Sequence, residues 1–155
     1  MSIPSISEFA DNPDEIAGDQ LVLTFAQRQI VRQRVTLASG EEALLKVPRG
    51  TALRNGDLLR MSTGNAVRVV AQRELVSIVE SRERQALVRA AYHLGNRHVP
   101  IEIGSNYLLY LNDHVLDDMI RNLGFNVSVE SKPFQPERGA YHVHNHQRSP
   151  SHTHR

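Results

Sequence analysis

Four glycine-bearing turn signals, Ser39-Gly40, Arg49-Gly50, Asn55-Gly56 and Gly64-Asn65, cut the stretch between Leu21 and Arg73 into pieces too short for ordinary helices. The pieces alternate instead. Leu21, Leu23 and Phe25 are interleaved with Val22 and Thr24, and Val35 and Leu37 with Thr36 and Ala38, which is the two-residue period of a half-buried strand. Residues 1–73 are therefore expected to form a small all-β domain. Residues 1–20 set Pro4, Pro13 and Gly18 among carboxylates and read as a loose arm or a poorly regular first strand.

The period changes after Leu75. Residues 75–79 read as a strand, Ser81 as an N-cap, and residues 83–94 as a helix with Leu87, Ala90, Ala91 and Leu94 on one face. Gly95 stands where a left-handed cap is expected, and Pro100 pushes Val99 toward extended geometry. Strands over 100–103 and 106–111 follow. A second helix carries Leu116, Met119, Ile120 and Leu123, started by Asn112 or Asp113 and stopped at Gly124, and residues 126–130 form a closing strand. The order strand, helix, strand, strand, helix, strand predicts a ferredoxin-like domain over 74–138. The fold class is thus α+β, a small all-β domain followed by a ferredoxin-like one. Residues 139–155 read as a flexible histidine-rich tail.

Composition narrows the chemistry. There is no cysteine, so disulfides, thiolate metal sites and cysteine nucleophiles are excluded. With 18 basic and 17 acidic residues the chain has no global field to draw it to nucleic acid or membrane. No apolar run approaches a membrane span and the N-terminus lacks a secretion signal, so a cytoplasmic protein is expected. Any metal site must be built from imidazole and oxygen, and five of the eight histidines, His142, His144, His146, His152 and His154, fall in the tail. Alternating ones share a side of an extended chain and can chelate. A histidine-only set suits nickel or zinc. The helical pair of histidines with an intervening glutamate that marks zinc hydrolases is missing, which argues against a metal hydrolase, and no enzymatic activity is expected.

His98 sits on the connector between the first helix and the next strand, available to a ligand. One such side chain cannot complete a metal site, but a two-fold dimer with His98 near its axis would place two imidazoles at one ion. His114, in the first turn of the second helix, is a weaker candidate, since a histidine there is often a solvated surface residue.

Gln27-Arg28, Arg32-Gln33-Arg34-Val35-Thr36-Leu37, Pro48-Arg49-Gly50-Thr51, Asn55-Gly56-Asp57, Leu94-Gly95-Asn96-Arg97-His98, Asp113-His114-Val115-Leu116, and Pro133-Phe134 with Gly139-Ala140-Tyr141 together resemble the urease accessory protein E family. The resemblance runs from about Leu21 to the C-terminus. It implies a homodimeric nickel metallochaperone that carries Ni(II) as cargo, with zinc and copper as competitors, and that delivers it to urease and the other urease accessory proteins, including their GTPase component. It further implies an N-terminal domain that engages partners, and His98 as the interfacial nickel ligand. Many relatives carry a His-x-His pair before the second helix, forming a peripheral site; here the residues are Asn112-Asp113-His114, which leaves His114 alone. Two other functions fit parts of the sequence. A histidine-based metal store would need only the tail, and an RNA-binding module would use the arginines of the first domain, although its strands lack stacking aromatics.

Overall fold

A computed structural model describes residues 2–139. The first half holds β1 (Ser5–Phe9), β2 (Asp19–Leu23), a single turn α1 (Phe25–Arg28), β3 (Arg32–Thr36), β4 (Glu42–Lys46), β5 (Leu58–Met61) and β6 (Ala66–Ala71). Its six-stranded sheet has the order β2-β6-β5-β1-β4-β3, with β1·β4 and β2·β6 parallel. Glycines 40, 50, 56 and 64 all take positive φ, the conformation their turns require. Leu21, Leu23, Val35, Ala43, Leu45, Leu59, Val67 and Val69 fill the core beneath the sheet.

Of the two readings of the N-terminal residues, the poorly regular first strand is the one found, its register with β5 shifting between Ile6 and Glu8. β1 lies inside the sheet between β5 and β4, anchored by Ile6, which is fully buried, while Ser7 and Glu8 face outward. One buried side chain in five residues leaves little periodicity to read. Backbone pairing on both flanks, including Leu44 N–H to Pro4 C=O at 2.9 Å, makes the strand.

The second half holds β7 (Arg73–Glu80), α2 (Arg84–Asn96), β8 (Glu102–Ile103), β9 (Tyr107–Leu111), α3 (His114–Asn122) and β10 (Val127–Pro133). The four strands are antiparallel in the order β10-β7-β9-β8. Both helices bury against one face, through Leu87, Ala90, Leu94, Leu116 and Ile120 on Val79, Leu108 and Tyr110. Val76, Ile78 and Leu109 point to the opposite face and pack on Phe134, with Phe25 of α1 against them. Burial on both faces explains why β7 and β9 read as near-continuous apolar runs.

Several boundaries differ from expectation, and Phe25, read as part of a strand, instead opens α1 after β2 ends at Leu23. The N-cap position of α2 falls on Glu83, which makes no side-chain cap hydrogen bond, and not on Ser81, whose Oγ accepts the Glu83 N–H at 3.1 Å and shapes the turn before the helix. Strand β8 covers only Glu102–Ile103, since Pro100 has no N–H to pair. Gly95 stays inside the helix and does not take the left-handed position.

The two halves are joined around Arg28. Its guanidinium is 1% exposed and donates from Nη1 to the Leu23 carbonyl at 2.9 Å and from Nη2 to the Phe134 carbonyl. Phe25 meets Phe134 edge-on at 5.5 Å, and the Phe25 N–H donates to Glu74 Oε2 at 2.9 Å. Burial pulls the guanidinium below its ordinary pKa, and Glu74 opposes that shift. Replacing Arg28 by Met leaves two buried carbonyls without donors, at about 1–3 kcal/mol each. Urea unfolding of Arg28→Met is expected to show a loss of about 2–4 kcal/mol. Arg28→Lys should recover only part of it, because one ammonium does not reproduce the planar fork that spans both carbonyls.

Candidate metal centre

α2 ends in a Schellman arrangement. The His98 N–H donates to the Gly95 carbonyl at 2.9 Å and the Val99 N–H to the Leu94 carbonyl at 3.2 Å, which places His98 at the position that must be left-handed. Its φ is 57°, the one positive value at a non-glycine residue among the described residues. α3 ends in the same way with Gly124 at φ 97°, the Gly124 N–H donating to Arg121 and the Phe125 N–H to Ile120. Two helices of one domain thus use one exit geometry, filled once by glycine and once by histidine. A left-handed side-chain residue costs about 1 kcal/mol over glycine. Val99 packs into the core beside Leu94, which holds the turn closed. The result is an exposed imidazole on a backbone whose direction is fixed by three neighbouring hydrogen-bonded residues.

The chain returns to this connector after β10. The Gln135 N–H donates to Glu102 Oε1 at 2.8 Å and the Glu137 N–H to the Ile101 carbonyl at 2.7 Å. The last described segment is therefore fastened three residues beyond His98. His142, His144, His146, His152 and His154 lie outside the described residues.

His114 is exposed at the first position of α3, where Asp113 caps the helix by accepting the Val115 N–H at 2.8 Å and the Leu116 N–H at 3.2 Å. Two residues earlier, Asn112 is committed elsewhere. Its Nδ2 donates to Asp117 Oδ2 at 3.1 Å and to Ser77 Oγ at 3.0 Å. Asp117, 5% exposed, also accepts from Ser77 Oγ at 2.7 Å and from the Tyr110 hydroxyl at 2.6 Å. Three neutral donors satisfy this buried carboxylate, and it ties α3 to β7 and β9. Nothing brings His93 to His98: its ring packs edge-on against Tyr92 at 5.3 Å. Among the described residues no three histidines or carboxylates converge into a metal cluster. Sequence reasoning placed His98 on the connector but missed its left-handed backbone, and missed the Asp117 network, which shows in the sequence only as polar residues interrupting apolar elements.

Two family models match the chain, UreE urease accessory protein, N-terminal domain, over residues 3–72, and UreE urease accessory protein, C-terminal domain, over residues 74–155. The chain is 48% identical over 130 residues to the urease accessory protein UreE of Teredinibacter turnerae, covering 84% of each protein. It is 51% identical over 121 residues to that of Alkalilimnicola ehrlichii, covering 78% of this chain and 74% of the relative. Against the protein of the same name from Paraburkholderia xenovorans the identity is 50% over 129 residues, 81% of this chain and 57% of the relative.

Two outcomes follow from the local geometry. His98→Gly is expected to raise stability by about 0.5–1 kcal/mol in urea unfolding, because glycine takes the left-handed position without steric cost. His98→Val should lower it, since a β-branched side chain tolerates that region least. The second outcome concerns alkaline pH. Burial and the Asp117 carboxylate push the Tyr110 phenol well above its ordinary pKa. The unfolded chain ionises there at about 10 and the folded one does not, so stability carried by Tyr110 is present below that pH and is lost as pH rises above it. Tyr110→Phe should flatten the decline in unfolding midpoint measured between about pH 9 and 11.

Proposed function

The chain belongs to the UreE family of urease accessory proteins, and from that premise we propose that it is a nickel metallochaperone that carries Ni(II) as cargo and delivers it during assembly of the urease active site. The observation that carries this reading is His98. It is an exposed imidazole kept, at a conformational cost, where glycine would serve the fold better. A residue held against its own backbone preference is a candidate for function. One imidazole is an incomplete site, so a homodimer is proposed in which two copies of His98 face each other across the two-fold axis and share the ion.

The rest of the molecule is assigned around that centre. Residues 74–138 are read as the ferredoxin-like nickel-binding domain, in keeping with the order β10-β7-β9-β8 and helices on one face. Residues 1–73 are read as the part that engages urease and the other accessory proteins, the GTPase component among them. Residues 139–155 carry His142, His144, His146, His152 and His154 as further ligands, and the bond of Glu137, just before them, to the Ile101 carbonyl favours supply to His98. His114 is proposed as a minor ligand at most, because Asn112 is held by Asp117 and Ser77. Zinc and copper would compete for the same nitrogens. The proposed location is the cytoplasm; no helix among the described residues is long and apolar enough to cross a membrane.

Calorimetric nickel titration tests the assignment. His98→Gly and His98→Ala should each remove the tightest site and leave the fold intact, and undiminished tight binding in both would refute it. Truncation after Tyr141 should reduce the number of ions bound more than the best affinity; loss of the tightest site with the tail would instead favour a metal store. Imidazole must be neutral to ligate, so nickel should be released as pH falls from about 7 to 5, where carboxylate sites would still be charged. Retention of nickel at about pH 5 would contradict a histidine site.

A further inference from the structure

The outer face of the first sheet carries a charge arrangement that the nickel chemistry does not use. Val47 N–H donates to the Val31 carbonyl at 3.0 Å, which makes 31–47 a hydrogen-bonded pair and puts Arg32 and Lys46, directly opposite each other in the register, at the adjoining non-hydrogen-bonded pair. Side chains are closest at such positions, so two cations face each other where opposite charges would stabilise the sheet. Arg49 joins them on the tight turn closed by Thr51 N–H to the Pro48 carbonyl at 3.1 Å, with Gly50 at φ 87°. These three side chains, with Ser7, Val31 and Pro48, line an open groove of about 600 Å³ that crosses β1, β4 and β3. No carboxylate lines it, and among the described residues no salt bridge engages Arg32, Lys46 or Arg49. The neighbouring Arg34, by contrast, is paired with Glu42.

Basic residues on an edge strand also discourage unwanted strand pairing, and β3 is an edge strand. That accounts for Arg32 and Arg34. It does not account for Lys46, which lies on the inner strand β4 and adds repulsion without protecting an edge. We propose that this groove is a docking site for a short acidic segment of a protein partner, whose carboxylates replace the counter-charge the sheet lacks. Three cations beside the apolar wall of Val31 and Pro48 suit a few carboxylates on an extended chain. They suit nucleic acid poorly, since no aromatic ring lines the groove and nucleic-acid binding proteins neutralise about six to ten phosphates. The inference deepens the reading of residues 1–73 as the partner-engaging part and rests on it.

The test uses the full-length protein and a fluorescein-labelled octapeptide of alternating glutamate and alanine, followed by anisotropy at low salt. Wild type should bind it, and Arg32→Glu with Lys46→Glu should weaken binding by about tenfold or more, while Arg121→Glu in the other domain leaves it unchanged. Arg32→Gln with Lys46→Gln, a milder pair, should weaken it in the same direction. Lys46→Glu alone converts a like-charge pair into an opposite-charge one, so its urea midpoint should rise while peptide affinity falls. Wild type that fails to bind the peptide, equal affinity in the double variants, or tighter binding of an eight-nucleotide single strand lost with the same substitutions would each overturn the proposal. Nickel titration of these variants should match wild type, so a failed peptide experiment with normal nickel binding removes this docking site and leaves the metallochaperone reading standing.

Discussion

The fold depends on one buried guanidinium. Arg28 comes from a helix of a single turn, too short to be stable by itself, and it reaches carbonyls on both sides of the seam, Leu23 before it and Phe134 after the last strand. A cation in such a place is tolerated because it is hydrogen-bonded and has Glu74 nearby. Thr24 supplies the local support, capping α1 by accepting from Gln27 N–H while the Gln27 side chain accepts the Thr24 N–H at 2.9 Å. Phe25 is thereby set against Phe134, and the face of the second sheet that the helices leave open is covered. Without that cover, Val76, Ile78 and Leu109 would face water.

The two helix exits differ in what they cost the domain. Gly124 lets α3 end at no steric cost, and His98 makes α2 end at some. The domain can bear that cost because the rest of the exit is favourable: two backbone hydrogen bonds close the turn, and Val99 is drawn into the core beside Leu94. The imidazole is consequently held by backbone geometry and not by packing of its own ring. Asp117 does the corresponding work for α3, where Ser77, Tyr110 and Asn112 converge on a single carboxylate and fix the helix start against β7 and β9.

Much of the architecture was legible because it was written in local signals. Gly40, Gly50, Gly56 and Gly64 marked turns that require positive φ, and Leu87, Ala90 and Leu94 marked a buried helical face. The strands β7 and β9 could be read from apolar runs. What escaped had a non-local cause. β1 was legible only as one of two alternatives, because the pairing with β4 and β5 that makes it a strand is absent from Ser5–Phe9. Arg28 looked like any surface arginine until a carbonyl more than a hundred residues later came within reach. His98 was chosen as a ligand from its connector, but glycine propensity pointed to Gly95 for the left-handed turn, and the true exit lay three residues on.

The strap after β10 has a consequence for the connector it crosses. Fastened at Glu102 and Ile101, it gives whatever follows Gly139 a fixed origin a few residues from the exposed imidazole. Bonds from Gln135 and Glu137 to the adjacent residues Glu102 and Ile101 tie the end of the described chain to the start of β8, so local opening of either segment has to break both. The connector that carries His98 is thereby bounded on one side by the helix exit and on the other by the strap, and its backbone has two independent anchors.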